Sequence, residues 1–237
     1  MRAVILAGGK GTRLAPYTTV FPKPLVPIGD MPILEIVVRQ LRRAGVRRIT
    51  MAVGHLAELL MAFFGDGSRF GVQVDYSRED QPLGTAGPLA LLDGLEDTFL
   101  VMNGDILTTL DYMALVAYHR DQQAAATVAM HQRSVKIDLG VIEVNQQNHI
   151  VRYIEKPTYN YHVSMGIYVF EPVVLRYIER SVRLDFPELI WKLLANNQPV
   201  LGYPYDGYWL DIGRPDDYAR AVEEFEQMRR QLLPEET

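Results

Sequence analysis

The sequence predicts an α/β protein whose mixed, mainly parallel sheet is flanked by helices and whose second half is rich in strands. Three observations support this fold class. The chain starts with a short apolar segment, residues 4–6, bounded by glycines, as expected of a buried parallel strand. Strand-like and helix-like patterns then alternate through the first half, which favours a parallel sheet with helices on both faces. Most patterns in the second half are strand-like.

The first half is predicted to contain four strands and three helices. Apolar residues recur at helical spacing between positions 33 and 44, and Gly45 is well placed to end that helix. Gly65 closes the next helical segment in the same way. We expect strands at residues 4–6, 49–53, 72–76 and 99–102, and helices at residues 33–44, 57–64 and 85–92.

The second half is predicted to add four strands and three helices. We expect strands at residues 127–131, 140–144, 151–153 and 166–170, and helices at residues 173–179, 186–195 and 216–232. No Gly/Ser-rich linker or repeat divides the chain, and no hexapeptide periodicity suggests a β-helix. We therefore expect one domain over residues 1–237, with halves at 1–125 and 126–215 and a C-terminal helix within 216–237.

Composition excludes several classes of function. The chain has 237 residues, 48% of them hydrophobic, which suits one elaborated domain. A formal net charge of −5 argues against nucleic acid or an anionic membrane as partner. The absence of cysteine rules out disulfides, thiolate metal sites and cysteine nucleophiles. No segment approaches the roughly 18 apolar residues that span a bilayer, and the first apolar run is too short for a signal peptide, so we expect a cytoplasmic protein.

A glycine-rich loop directly follows the first predicted strand and reads Leu6-Ala7-Gly8-Gly9-Lys10-Gly11-Thr12-Arg13-Leu14. Three glycines in four positions let backbone amides approach a ligand, and successive free N–H groups form a concavity suited to phosphate. Lys10 and Arg13 add positive charge. The spacing matches neither a Walker loop nor the dinucleotide fingerprint. A glycine-rich turn that only carries surface charges remains the alternative.

Two further segments hold charged residues at places where a phosphate or a metal could bind. Lys23 stands between Pro22 and Pro24, which predicts an extended backbone that aims its ammonium at a fixed anion. Asp105 ends the run Asn103-Gly104-Asp105 at the carboxyl end of the fourth predicted strand. Ligands of open α/β sheets bind beyond those ends, and Mg²⁺ favours one or two carboxylates together with phosphate oxygens.

The last two segments lie in the second half. Asp211 stands between apolar neighbours, where a charge needs a partner or a metal. Glu155 and Lys156 are adjacent before Pro157, which predicts an extended backbone at Lys156. Each segment also has an ordinary interpretation, a helix-capping aspartate in the first case and a surface charge pair in the second.

Taken together and in this order, the five segments resemble the sugar-1-phosphate nucleotidylyltransferase family. The family's marks are a loop of the form L-A-G-G-x-G-T-R-L, a P-K-P segment, a G-D metal aspartate, an E-K-P segment and a late W-x-D-x-G element, and all five are present. The resemblance runs from Arg2 to about Tyr218. It implies a Rossmann-like fold with a sugar-binding second half and, as reaction, the joining of a nucleoside triphosphate to a sugar 1-phosphate.

The resemblance also implies roles for the nucleotide site. Arg13 would hold the departing pyrophosphate, and Lys23 would bridge the phosphates at the reacting centre. Gln81, or backbone near Gly84, would read the base edge. The remaining nucleotide contacts would come from the glycine loop and the later loop, namely Leu6, Ala7, Gly8, Gly9, Gly11, Thr12 and Thr85.

The resemblance also implies which residues bind the metal and the sugar phosphate. Asp105 and Asp211 would hold Mg²⁺ against the α-phosphate. Glu155 would bind a sugar hydroxyl, Lys156 would neutralise the sugar phosphate, and Gly140 would let the sugar approach the backbone. The attacking oxygen is already anionic, so the barrier is repulsion between phosphates rather than the lack of a base. Lys156 is therefore counted, with Arg13 and Lys23, among the catalytic cations.

The sequence indicates the nucleobase and the sugar of the two substrates less closely than it indicates the reaction. The run Pro82-Leu83-Gly84-Thr85-Ala86-Gly87 looks like the mannose-1-phosphate guanylyltransferase branch, which implies GTP, with dTTP, UTP and CTP as alternatives. The family often has Asn-x-Gly in its sugar-facing strand, whereas this chain has Ser164-Met165-Gly166. We therefore expect Ser164 to contact the sugar, which is mannose 1-phosphate or a related heptose or cyclitol phosphate. The oligomeric state stays open, with a homodimer as one arrangement.

Two other functions are alternatives to nucleotidyl transfer. A glycosyltransferase of similar architecture would carry Asp-x-Asp for its metal, and this chain does not have that pattern at Asp105. A non-catalytic sensor of nucleotide sugars should have lost part of the catalytic set. Arg13, Lys23, Asp105 and Asp211 are all present, which favours the enzyme.

Overall fold

The computed structural model describes residues 1–79 and 81–234. The strands are β1 (Arg2–Ala7), β2 (Pro27–Ile28), β3 (Met31–Pro32), β4 (Arg48–Val53), β5 (Gln73–Arg78), β6 (Phe99–Asn103), β7 (Ile106–Thr108), β8 (Ala126–Lys136), β9 (Val141–Val144), β10 (Ile150–Ile154), β11 (Thr158–Phe170), β12 (Val200–Pro204) and β13 (Trp209–Asp211). The α-helices are α1 (Ile33–Arg43), α2 (Ala57–Phe64), α3 (Tyr112–Asp121), α4 (Phe186–Ala195) and α5 (Pro215–Leu232). Residues 235–237 of the predicted C-terminal region lie outside the described part.

Seven strands form the central sheet, in the order β12-β8-β11-β6-β1-β4-β5. Six of them run in one direction, and β11 runs antiparallel to both of its neighbours, β6 and β8. The predicted mixed, mainly parallel sheet is therefore confirmed. Because β6, β1, β4 and β5 are parallel neighbours, the loops that follow them meet at one edge, which we call the carboxyl edge.

Helices cover both faces of the sheet, as predicted. Alternate residues of β1 point to opposite faces, so Ala3 and Ile5 pack with α1, α2 and α3, whereas Val4 packs with α4. A third apolar cluster lies beneath α5, where Phe225 and Ala221 pack against β7 and β13. Each fully buried large apolar side chain in these layers contributes about 1.5–3 kcal/mol, so the three clusters hold the elements that carry the carboxyl edge.

Two predicted helices are wrong. Residues 85–92 contain a 3₁₀ helix at Gly87–Leu91 instead of an α-helix, because the amides of Ala86 and Gly87 donate to the Leu184 carbonyl and Pro88 has no N–H to donate. Residues 173–179 likewise form a 3₁₀ helix, Pro172–Tyr177. Helix α3 was not predicted at all. It begins at Tyr112, after the N-cap Asp111, whose carboxylate accepts hydrogen bonds from the amides of residues 113 and 114 at 2.9 and 3.0 Å.

The antiparallel pair β8 and β11 extends past the sheet. The second part of β8, residues 132–136, is exposed and continues to pair with the first part of β11. The hairpin of β9 and β10 is inserted between these extensions as a separate two-stranded sheet. We call residues 132–163 the arm. Since β8 runs parallel to β6, its far end points beyond the carboxyl edge, and the arm projects on that side.

Within residues 1–79 and 81–234, no helix combines the length and the apolar character that crossing a bilayer requires.

Candidate active site

A cleft of about 1080 Å³ opens at the carboxyl edge, above the ends of β1, β4, β5 and β6. Most of the residues predicted for the nucleotide and the phosphates line it. The predicted residues in its wall are Leu6, Ala7, Gly8, Gly9, Gly11, Thr12, Arg13, Lys23, Gln81, Gly84, Thr85 and Asp105. The sequence thus predicted a set of residues, distributed over three loops, that the fold brings into one cavity.

The glycine-rich loop presents its backbone to this cleft. The amides of Gly9, Lys10 and Gly11 donate no hydrogen bond to any residue in the described part of the chain. Gly11 has φ of 62°, and a Cβ there would lie 2.9 Å from Thr18 Cγ2 and 3.1 Å from Lys23 Cβ. A larger residue would push the loop away from Lys23. The glycines therefore leave donors available for an anion close to that lysine.

Lys23 lies in a 3₁₀ helix, Lys23–Leu25, and not in the extended segment that was predicted. Pro24 occupies the second helical position, where no N–H is needed, so the two prolines fit a helical turn as well as an extended chain. The Lys23 ammonium forms an ion pair with Asp105 Oδ2, and their side chains are only 12% and 17% exposed. The cation predicted for the phosphates therefore contacts a carboxylate predicted for the metal.

Asp105 and Asp211 lie near each other because β7 pairs with β13, with Asp211 opposite Ile106. The Ile212 amide donates to the Asp105 carbonyl at 3.1 Å and fixes the two segments. Desolvation and then the charge of Asp105 raise the pKa of Asp211, and Lys23 and Arg13 act in the opposite direction. These two carboxylates repel each other, which favours a cation between them.

The carboxylate pair fits a divalent cation that also takes phosphate oxygens. Asp105 Oδ1 is buried and accepts no hydrogen bond from the described residues, although a buried oxygen of this kind normally has a partner. In the described part of the chain, neither a histidine nor another carboxylate lies close enough to the two aspartates to act as a third metal ligand. Mg²⁺ suits such an incomplete set, because it is commonly held by one or two carboxylates, water and substrate phosphates.

At the other end of the cleft, Glu79 is a wall residue to which sequence reasoning assigned no role. Its Oε2 accepts a hydrogen bond from the Leu83 amide at 2.9 Å. Its Oε1 points at the glycine loop, since a Cβ added to Gly8 would lie 2.8 Å away. Gln81, which was predicted to read the base, is exposed at the rim. Glu79 directly follows β5, and its position at a strand end was the signal that could have identified it.

The loop that contains Gly84 and Thr85 is fastened to the residues before α4. Asp185 Oδ1 accepts from the Thr85 amide at 2.9 Å, and the Phe186 amide donates to Thr85 Oγ1 at 2.9 Å. Asp185 also caps α4 in a reciprocal pair with Glu188. Arg183 and Asp185 line the cleft too. Sequence reasoning missed both, because nothing in the chain indicates that positions 100 residues apart meet.

Three residues predicted for the sugar phosphate lie on the arm and outside the cleft wall. Glu155 and Lys156 are 62% and 59% exposed, with a weak contact of 4.0 Å between their charged atoms. Lys156 has φ of 45°, so the extended backbone predicted before Pro157 is wrong. Gly140 lies against the Tyr153 side chain, whose ring a Cβ at position 140 would overlap, and its predicted approach to the sugar stays a prediction. The arm projects on the cleft side of the sheet, and the sugar-binding roles of these three residues stay predictions.

Ser164 lies on β11, between the arm and the sheet, and its hydroxyl is engaged within the protein. Its Oγ lies 3.0 Å from the Tyr168 hydroxyl and accepts from the Gly166 amide at 3.2 Å. These contacts span the point where the pairing of β11 with β8 changes register. Ser164 thus shapes the strand bulge, and its predicted contact with the sugar stays a prediction.

Comparison with known proteins agrees with this geometry. A family model described as "Nucleotidyl transferase" matches residues 2–228. The chain is 36% identical to UTP--glucose-1-phosphate uridylyltransferase of Synechocystis sp., over 94% of this chain and 62% of that protein. It is 32% identical to probable mannose-1-phosphate guanylyltransferase 1 of Oryza sativa subsp. japonica, over 99% of this chain and 67% of that protein. The chain thus spans about two thirds of the length of these curated relatives.

Among solved structures, the chain is similar to HddC from Yersinia pseudotuberculosis complexed with GMP-PN. The two share 25% sequence identity with a TM-score of 0.72, and the match covers 94% of this chain and 99% of HddC.

Proposed function

The chain belongs to the nucleotidyl transferase family, and from that premise we propose that it transfers a nucleoside monophosphate from an NTP to a sugar 1-phosphate. One observation carries the proposal: an open glycine loop, Lys23 and two carboxylates meet at the carboxyl edge beside β1 and β6. A phosphate oxygen of the sugar phosphate attacks the α-phosphorus. The bond from the α-phosphorus to the bridging oxygen breaks, and pyrophosphate leaves with that oxygen.

The chain's own residues act on charge and position. The free amides of the glycine loop and the Arg13 guanidinium bind phosphate oxygens, and Lys23 neutralises charge near the reacting phosphorus. No general base is assigned, because the attacking oxygen is already ionised. The two substrates carry several negative charges, so holding them in line against their repulsion is the main catalytic task.

Asp105 and Asp211 would hold a Mg²⁺ ion in the proposed reaction. When bound, such an ion neutralises the phosphate charge and polarises the phosphorus under attack. The partnerless Asp105 Oδ1 supports this assignment.

For the base, we propose guanine, and Glu79 is the residue that supports it. Guanine presents two adjacent donors, N1–H and N2–H₂, to an incoming acceptor. Glu79 Oε1, which accepts no hydrogen bond from the described residues, can accept from such a pair. The N3–H of uracil or thymine is instead flanked by carbonyl oxygens that a carboxylate repels. The HddC complex contains GMP-PN, which agrees with guanine, while the uridylyl-transferring relative makes UTP the competing assignment.

For the acceptor, we propose mannose 1-phosphate or a related heptose or cyclitol phosphate, bound between the cleft and the arm. Glu155 would accept from a sugar hydroxyl, and Lys156 would neutralise the sugar phosphate. Both are exposed on the side of the sheet where the cleft opens, so the arm has to approach the cleft when the acceptor is bound.

The test is a matrix of the common nucleoside triphosphates against sugar 1-phosphates, with Mg²⁺, in which pyrophosphate release is measured. We expect the highest kcat/KM with GTP and mannose 1-phosphate or one of the named relatives. Release with UTP or dTTP alone would overturn the guanylyl assignment and leave the reaction class intact. Tight nucleotide binding without release in any combination would favour the sensor function instead.

Glu79→Gln tests base selection directly. Replacing a carboxylate acceptor by an amide should lower the GTP-to-UTP ratio of kcat/KM by roughly 10- to 100-fold, the range expected for one charge-assisted hydrogen bond. Glu223→Gln, the same exchange at an exposed position of α5 outside the cleft wall, is the matched control and should change the ratio little. An unchanged ratio in Glu79→Gln would remove Glu79 from base recognition.

A further inference from the structure

We propose that Lys23 occupies the divalent-cation position on Asp105 while no nucleotide is bound, and that an incoming triphosphate frees the carboxylates by drawing Lys23 away. The inference deepens the proposed function, on which it rests for the identity of the anion. It makes metal binding conditional on the nucleotide through a residue of the protein itself.

The first support is that only one of the two carboxylate oxygens of Asp105 has a partner. Its Oδ2 is paired with the Lys23 ammonium, while its Oδ1 is buried without a hydrogen-bond partner in the described residues. A structural ion pair at this depth would normally satisfy both oxygens, because an unpaired buried oxygen is costly. Lys23 therefore fills only part of a coordination site. A cation bound at Oδ2 and the ammonium cannot share the same oxygen without repulsion.

The second support is the charge balance. When both are ionised, Asp105 and Asp211 together carry two negative charges, and the pairing of β7 with β13 holds them near each other. With Lys23 in place, the group of three carries one negative charge. Once Lys23 leaves, the two carboxylates face a cation with their full charge, and the attraction for a divalent ion rises accordingly.

The third support is that the ammonium can move while its backbone stays fixed. Lys23 begins a 3₁₀ helix next to the buried Pro24, and its Cβ lies against Gly11 of the phosphate-binding loop. The four-carbon stem is flexible, so its end can turn from Asp105 to a phosphate held by that loop. Nucleotide and metal then strengthen each other's binding, because coupling between two sites is reciprocal.

The test measures Mn²⁺ binding to the nucleotide-free protein by electron paramagnetic resonance and calorimetry. We expect weak binding in the wild type, and binding tighter by roughly tenfold or more in Lys23→Met, within the usual range of coupling between sites. Lys23→Arg keeps the cation and should stay weak. Arg13→Met is the matched control, because it also removes a positive charge that acts on Asp211 but does not remove the ion pair.

Lys23→Met leaves a poorly exposed carboxylate unpaired, so its folding is checked by circular dichroism and by the Tm shift that Mn²⁺ produces. A larger Mn²⁺-induced rise in Tm than in the wild type supports the proposal, and Asp105→Asn in the same background should abolish that rise. If Lys23→Met does not fold, Lys23→Gln takes its place. Equal Mn²⁺ affinity in the wild type and the Lys23 variants, or an equal gain in Arg13→Met, overturns the proposal. Neither readout needs turnover, so the result stands apart from the success or failure of the proposed reaction.

Discussion

Asp105, just before β7, and Asp211, at the end of the paired strand β13, have different surroundings, and the difference defines what each can do. Asp105 is paired with Lys23 and partly buried. Asp211 is an exposed residue, yet the protein around its carboxyl group partly desolvates it, which raises its pKa. The sequence could predict both aspartates because each belongs to a recognisable segment. It could not predict their ion pair or the orientation of Glu79, since both depend on how loops far apart in the chain pack together.

Asp105→Ala and Asp211→Ala should each lower kcat by at least roughly 10²-fold, the effect of losing one stabiliser of transition-state charge. The folded structure should be retained, as judged by circular dichroism. Asp217→Ala is the control, because Asp217 acts on Asp211 only as a more distant charge on α5 and should leave kcat near the wild-type value. Turnover close to wild type in either cleft variant would exclude that residue from the metal site.

Lys156→Met should raise KM for the sugar phosphate and slow turnover, while the affinity for a non-reacting GTP analogue stays nearly unchanged. The reason is that Lys156 lies on the arm and not in the wall of the nucleotide cleft. Lys23→Met should weaken the analogue as well. Calorimetric titration separates the two variants, and Lys136→Met provides an arm lysine as control. Equal loss of analogue affinity at positions 156 and 23 would place Lys156 in the nucleotide site.

At the scale of elements, the strands were more predictable than the helices. Short apolar runs between turn residues identified β1, β4 and β6 because their burial on both faces leaves a continuous signal. Helix α3 escaped because its buried face includes a histidine and its exposed face a methionine. The stretch 85–92 has helical spacing, yet long-range hydrogen bonds to Leu184 give it a 3₁₀ form.

Asp185 caps α4 and also holds the loop at Thr85, which lines the cleft. Asp185→Ala should cost about 0.5–2 kcal/mol of stability, the usual value of an N-cap, and should also raise KM for the NTP by loosening the loop at Thr85. Asp111→Ala is a matched control, since it removes the cap of α3 away from the cleft. Denaturant unfolding should show similar losses in both variants, and a KM increase in Asp111→Ala as well would contradict the assignment.

At the scale of the whole molecule, the two edges of the sheet serve different purposes. The carboxyl edge carries the cleft, whereas near the opposite edge the buried His119 contacts Thr127 at 2.8 Å and the partly exposed Glu171 at 3.2 Å. Burial lowers the pKa of His119, although Glu171 acts to raise it. The folded state therefore favours the neutral ring.

The buried His119 predicts a pH dependence of global stability. As pH falls from about 7 to about 5, the unfolded chain gains a proton on His119 before the folded protein does, so the free energy of unfolding decreases. His119→Gln removes that titration, and its stability should vary less over the same range. The exposed His149→Gln is the control and should keep the wild-type slope. Urea unfolding at several pH values measures the slopes, and a His119→Gln profile parallel to the wild type would refute the expectation.

The arm is attached to the sheet only through the two strands β8 and β11, and this attachment affects how the protein can evolve. Substitutions in residues 132–163 can accumulate without disturbing the glycine loop or the carboxylate pair, because the arm shares no core cluster with them. Under the proposed function, selection can therefore change the acceptor through one region while the other conserves the handling of the triphosphate. Under the proposed function, proteins with this architecture should therefore differ more in the arm than in the glycine loop and the carboxylate pair.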